Sequence, residues 1–177
     1  IDEAYELAVR TGMEADPRPQ DEVRKVLDDA KEAYDKLPED RRELFDQERL
    51  WNPYTDSRFS VMADEARDTE AECLMWGIDI GPAEVLLADR LREKGRNISA
   101  VVAHHPIGTA RTKFPEVMWM QTDMYHQMGV PINVTEGLMK PRMDDVLRGV
   151  MGSNYNQGAD AARLLGIPLF NVHSPAD

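Results

Sequence analysis

Apolar side chains recur along this chain in two rhythms, and the change falls near residue 57. In the first stretch they come every three or four residues. Ala4, Leu7 and Ala8 are spaced as one helix face, and Pro17 and Pro19 then break the chain. Val23, Val26, Leu27, Ala30, Ala33, Tyr34 and Leu37 follow at the intervals of an amphipathic helix that Pro38 ends. A shorter helix is expected from about Glu39 to Leu50, closed by Asn52 and Pro53. Beyond it the pattern becomes strand and helix in alternation. Apolar runs predict strands over residues 73–80, 98–103, 131–134 and 167–172. Helices are predicted over residues 83–94, 116–128, 143–151 and 160–165, with Gly95 as a C-cap and Gly129 as a stop. This is the pattern of an α/β fold: a mostly parallel sheet with flanking helices. The expected organisation is a helical N-terminal extension over residues 1–57 and an α/β metal-binding domain over residues 58–177.

Composition narrows the function classes. The length of 177 residues suits one domain with a real core. No apolar run approaches the ~20 residues of a membrane-spanning helix, and the acidic N-terminus has no secretory pattern. The first 50 residues hold 16 acidic and 9 basic side chains, so the extension is dense in charge. These charges are read as solvated faces and i,i+4 pairs. A net charge of −12 argues against nucleic acid as a partner, because phosphate binding needs clustered Lys and Arg. The single cysteine, Cys73, excludes a disulfide scaffold and a thiolate-rich zinc site. It fits a reducing, cytoplasmic setting and is expected to be a buried small hydrophobe.

The chemistry collects at strand ends. His104-His105-Pro106 follows the run 98–103, while His173 follows the run 167–172 with Asp177 four residues later. Asp79 ends the first predicted strand, and Glu136 comes just after the third. In a parallel sheet these ends share one edge, where open α/β sheets bind ligands. Neighbouring strand residues point to opposite faces, so His104 and His105 share a site only if the chain is already turning at Pro106. Imidazoles with carboxylates suit zinc, iron, manganese or nickel more than calcium or magnesium. Two such ions ~3.5–4 Å apart activate water and clamp a substrate oxygen. Each fragment has a plainer reading: a His-His pair in a loop, Asp79 as a helix cap, Glu136 as an exposed loop residue. His126, on a predicted helix away from the other three, is read as structural. The stripe Val117, Met120, Met124 and Met128 is read as core or subunit interface.

Several segments resemble the Nif-three-like dinuclear metal-centre family, also described as the type 2 homologue of GTP cyclohydrolase I. They are Gly77-Ile78-Asp79-Ile80, the run Leu86 to Gly95, Val102-Ala103-His104-His105-Pro106, Gly129 to Val134, Asp160 to Leu165, and His173-Ser174-Pro175-Ala176-Asp177. The resemblance runs from about residue 70 to the end, and the spacing of His-His-Pro and His-x-x-x-Asp carries most of it. It implies an α/β fold of two related halves, assembled as a ring-like homohexamer. It implies that His104 and His105 contact metal, that Asp177 contacts or bridges the pair, and that His173 lies at the site as ligand or supporting residue. It also implies a further His and Glu from a C-terminal half. No histidine follows His173 here, so the chain is expected to be an incomplete two-half fold.

The expectation is therefore a protein with two divalent transition metal ions, hydrolase-like, acting on a small-molecule, nucleotide or phosphoester substrate. Glu136 and His173 are the candidates for general base. Gly108, Thr109, Arg111 and Lys113 form a candidate phosphate loop, although two cations in a polar loop are ordinary. The alternative is a non-catalytic oligomeric metal-binding scaffold or regulator.

Overall fold

Among the described residues, 1–62 and 69–177, the computed structural model has one sheet of four strands. They are β1 (Phe59–Val61), β2 (Cys73–Gly77), β3 (Ile98–Ala103) and β4 (Leu169–Asn171). The order is β1-β4-β3-β2. β2, β3 and β4 run parallel, and β1 is antiparallel to β4, so the sheet is mixed and mostly parallel. The sequence pattern anticipated β2, β3 and β4 but not β1, which is three residues long.

Helices cover both faces of the sheet. In chain order they are α1 (Asp2–Ala15), α2 (Gln20–Asp35), α3 (Glu39–Arg42), α4 (Pro82–Glu93), α5 (Gly108–Val117), α6 (Trp119–Gln127), α7 (Ile132–Met151) and α8 (Gln157–Leu164). Alternation along β3 divides the core in two. Val101 and Ala103 pack with Val85 and Ala88 of α4 and Ala162 of α8. Ala100 and Val102 face the other way, against Tyr5 and Val9 of α1, Tyr54, Phe170 and Val172. Each fully buried Val or Phe contributes about 1.5–3 kcal/mol over leaving it exposed. The N-terminal helix is thus a layer of the same core that carries the sheet. Its buried positions are Tyr5, Val9 and Gly12; of the face Ala4, Leu7, Ala8 that spacing suggested, Ala8 packs partly buried against the same cluster and Leu7 is exposed. Gly12 matters for the site. A Cβ there would lie 2.5 Å from Pro175 Cα, so only glycine lets α1 cross the 3-10 turn Ser174–Ala176.

Further expectations are corrected. Residues 131–134 are not a strand but the entry into α7, whose buried Thr135, Met139 and Met143 recur every four residues. The short run Ile132-Asn133-Val134 fits both periods, and the longer helical repeat decides. The helix expected over 116–128 is two helices: the first begins at Gly108 and runs through Pro115, and a tight turn at Met118 leads into α6. Met118 is buried with Met139 and Met143, while Met128 is exposed. Cys73 is exposed, on a strand that among the described residues pairs only with β3 and lies at the sheet's edge. The 39–50 segment is the short α3 followed by a 3-10 turn, Gln47–Leu50. No helix among the described residues is long and apolar enough to cross a membrane.

Candidate metal centre

Parallel strands bring their C-terminal ends to one edge, and three histidines meet there. β3 ends at Ala103, but its ladder continues: the His104 and His105 amides donate to Gly77 O at 2.8 Å and Ile78 O at 2.9 Å. The chain bends over these two residues, so both rings serve one side. β4 delivers His173 two residues past its end. The ring centroids of His104 and His173 are 4.9 Å apart and stacked, and those of His104 and His105 are 5.2 Å apart. One ring nitrogen from each of the three lies within 4.8 Å of the others.

Each imidazole has its Nδ1 against an oxygen that can only accept. His104 Nδ1 is 3.3 Å from Val172 O, His105 Nδ1 is 2.8 Å from Asp79 Oδ1, and His173 Nδ1 is 2.8 Å from Asp56 Oδ2. A neutral ring in this position carries its proton on Nδ1 and keeps its lone pair on Nε2. That is the state in which histidine binds metal. Asp177 stands beside the cluster, with Oδ1 3.5 Å from His104 Nε2 and Oδ2 3.8 Å from His173 Nδ1. Three imidazoles and one carboxylate are a donor set that fits a divalent transition metal ion.

The two ends of the cluster differ in electrostatics. His173 is 15% exposed, and its Asp56 partner is 0% exposed at the side chain. Burial pulls the His173 pKa down, but the hydrogen bond and charge of Asp56, helped by Asp177, outweigh it and raise the pKa above its ordinary value. A metal at this ring therefore competes with a proton. His105 is 48% exposed and its partner Asp79 85% exposed, so water screens that pair.

Of the residues singled out in the sequence, His104, His105, His173 and Asp177 come together, and Asp79 joins them through His105. Glu136 lies elsewhere. It is exposed on α7 and lines a separate depression with Trp119, Asn133 and Lys140, because the strand expected to aim it at the site does not form. His126 is apart from the cluster, with Nδ1 3.1 Å from Val130 O at the end of α6. The candidate phosphate loop is the first two turns of α5. There the Gly108 amide donates to Tyr155 O, Lys113 pairs with Glu116 at 2.7 Å, and Arg111 is exposed.

Asp56 was missed. The run Asn52 to Arg58 reads in sequence as the end of a helix and a polar loop, yet Asn52 and Tyr54–Arg58 are all buried. Nothing local signals that it meets a histidine 117 positions later. A groove of about 520 Å³ opens beside His173 and Asp177, lined by Tyr54, Phe114, Met118, Met120 and Met124.

No family model matches the sequence, and no curated protein matches it. Among solved structures, the chain aligns with the crystal structure of a NIF3 superfamily protein from Sphaerobacter thermophilus at 31% identity and a TM-score of 0.60. The alignment covers 86% of this chain, more than residues 58–177 alone could provide, so it includes part of the N-terminal helices. It covers 47% of that protein, so the chain spans about half of the relative's length. The likeness suggested by His-His-Pro and His-x-x-x-Asp thus extends to the tertiary structure: over 86% of its length this chain has the fold of a NIF3 superfamily protein.

Proposed function

We propose that His104, His105, His173 and Asp177 hold divalent transition metal, zinc, iron, manganese or nickel, and that the site serves a hydrolase-like reaction on a nucleotide or another phosphoester. One observation carries the reading: three imidazoles converge within 4.8 Å, each with Nδ1 against an acceptor oxygen. When bound, such ions supply Lewis acidity toward a substrate oxygen and make water more acidic. The chain's own residues supply the rest. Val172 O, Asp79 and Asp56 hold the rings in one tautomer, and the groove beside His173 has room for the body of a small-molecule substrate. Two ions, as the resemblance implies, need more donors than these four side chains. The reading therefore assigns one ion to this set and a second only with donors from outside it. Exposed Trp76, Ile78, Leu86 and Leu87 support a homo-oligomer, a hexamer by the resemblance.

A non-catalytic metal-binding scaffold is the second reading, and one observation favours it. Glu136 lines a depression apart from the groove beside His173, and His173 is itself counted among the metal donors, so neither candidate is a base free of the metal. Elemental analysis of the purified chain beside a His104→Ala, His105→Ala variant tests the common part. About one transition-metal equivalent, lost in the variant, supports the site; no metal in either chain removes it. Metal with measurable hydrolysis of nucleoside triphosphates or phosphodiesters, abolished in the variant, supports the enzyme. Metal without turnover supports the scaffold.

A further inference from the structure

We propose that Asp56 is the positioning residue of this metal centre: its carboxylate fixes the orientation and the tautomer of His173. The inference rests on the metal-binding reading above and adds a residue that no spacing in the sequence joins to the site. A buried carboxylate is costly unless its oxygens are met by donors. One oxygen of Asp56 is met from the C-terminal motif and the other by its neighbour Ser57. Oδ2 accepts from His173 Nδ1 at 2.8 Å and from Ser174 Oγ at 2.7 Å, and Oδ1 accepts the longer contact from Ser57 Oγ at 3.4 Å. Ser57 Oγ in turn accepts the His173 amide at 2.9 Å, so backbone and ring of one histidine are held by consecutive residues. Asn171 Nδ2 donates to the Asp56 carbonyl at 2.5 Å and ties the same loop to β4.

Arg58, the nearest cation in sequence, is turned elsewhere. Its Nε pairs with Asp46 and its Nη1 donates to the carbonyls of Tyr54 and Ser57. Among the described residues, His173 is the ion-pair partner assigned to Asp56. The geometry is that of a carboxylate behind a metal-ligating histidine, where the charge raises the basicity of the distal nitrogen. A neutral amide at this position has an oxygen to accept the same Nδ1–H but lacks the charge. Asp56→Asn therefore separates positioning from mere filling of space.

The test titrates zinc into the chain against a chromophoric chelator. It is paired with melting of the metal-free proteins and a long-range 1H–15N spectrum of the imidazoles at alkaline pH. Asp56→Asn is expected to bind zinc about 10–100-fold more weakly than the wild type while melting close to it. His173 in the metal-free wild type is expected as the Nδ1–H form, lost in Asp56→Ala. Equal zinc affinity in wild type and Asp56→Asn overturns the inference, as does a wild-type His173 protonated on Nε2. A lower melting temperature with unchanged zinc affinity reduces Asp56 to a structural residue and also overturns it. A wild type that takes no zinc removes the metal reading instead. The tautomer of wild-type His173 then still decides whether Asp56 sets the ring, with no variant required to fold.

Discussion

The two flanks of β3 back histidines of the same site in opposite surroundings. On one flank β4 lies between β1 and β3, its three residues are buried, and it leads to His173 and the enclosed Asp56. On the other flank β2 has, among the described residues, a neighbour on one side only, Trp76 is 57% exposed, and the strand leads to Asp79 at the surface. The histidine–carboxylate distance is 2.8 Å on both flanks. Distance alone therefore does not rank these pairs. Water screens the Asp79 pair, whereas the Asp56 pair acts in a lower dielectric, where a missing partner is also far more damaging.

Core truncation breaks the comparison most sharply. Phe170 on β4 packs against Tyr5 and Phe59 with ring centroids at 5.4 and 5.0 Å. Phe170→Ala is expected to lose about 3–5 kcal/mol in chemical denaturation. Trp76→Ala on the opposite edge should lose no more than about 1 kcal/mol. Similar losses for both would mean that the β2 edge is as enclosed as the β4 side.

Next is the seat of α1 on the β4 flank. The Asp16 and Arg18 side chains are paired at 2.8 Å and almost fully buried, and Tyr54 donates to the same carboxylate. Arg18→Ala should lose about 3 kcal/mol, because it leaves a buried charge uncompensated. The pH dependence follows the same pair. Burial pushes the Asp16 pKa up, but the hydrogen bonds and charge of Arg18, with Tyr54, outweigh it and lower the net value. A depressed folded pKa stabilises the protein above the unfolded value of about 3.9, and that stabilisation is lost as pH falls through the folded value. Denaturation from pH 7 downward should show this acid-side loss in the wild type. In Arg18→Ala, burial is opposed by the Tyr54 hydrogen bond alone, so the folded pKa moves up and the Asp16-linked loss at acid pH should shrink or reverse. Superimposable pH profiles would remove the pair from the account.

The smallest effect should come from the exposed pair. Asp79→Asn is expected to change stability by less than about 1 kcal/mol. Its effect on zinc affinity should stay below the roughly 10-fold lower bound expected for Asp56→Asn. An Asp79 effect as large as that of Asp56 would mean that screening does not separate the two flanks.

The legibility of this chain follows the range of the forces involved. β3 was readable to the residue, because Ile98–Ala103 is apolar but for Ser99 and lies between the polar Asn97 and His104. α4 was readable to within one residue at each end, since Pro82 starts it and Gly95, at φ +83°, follows its end. The histidine pair and His173 with Asp177 were readable because the predicted strands 98–103 and 167–172 end directly before His104 and His173. Residues 131–134 were not, because four residues cannot distinguish the two periods. Glu136 followed that segment away from the site.

By itself, the sequence determined which elements alternate, and therefore that the C-terminal ends of parallel strands carry His104, His105 and His173 to one edge. Periodicity and strand ends are local properties, written over a few consecutive residues. Only the tertiary structure decided that Asp56 stands behind His173, that Gly12 lets α1 cross the turn at Pro175, and that Cys73 is exposed. These depend on which segments meet across the sheet and which strand lies at its edge. Contacts between positions 56 and 173 arise from packing two layers against one core, and no local pattern of either segment encodes them.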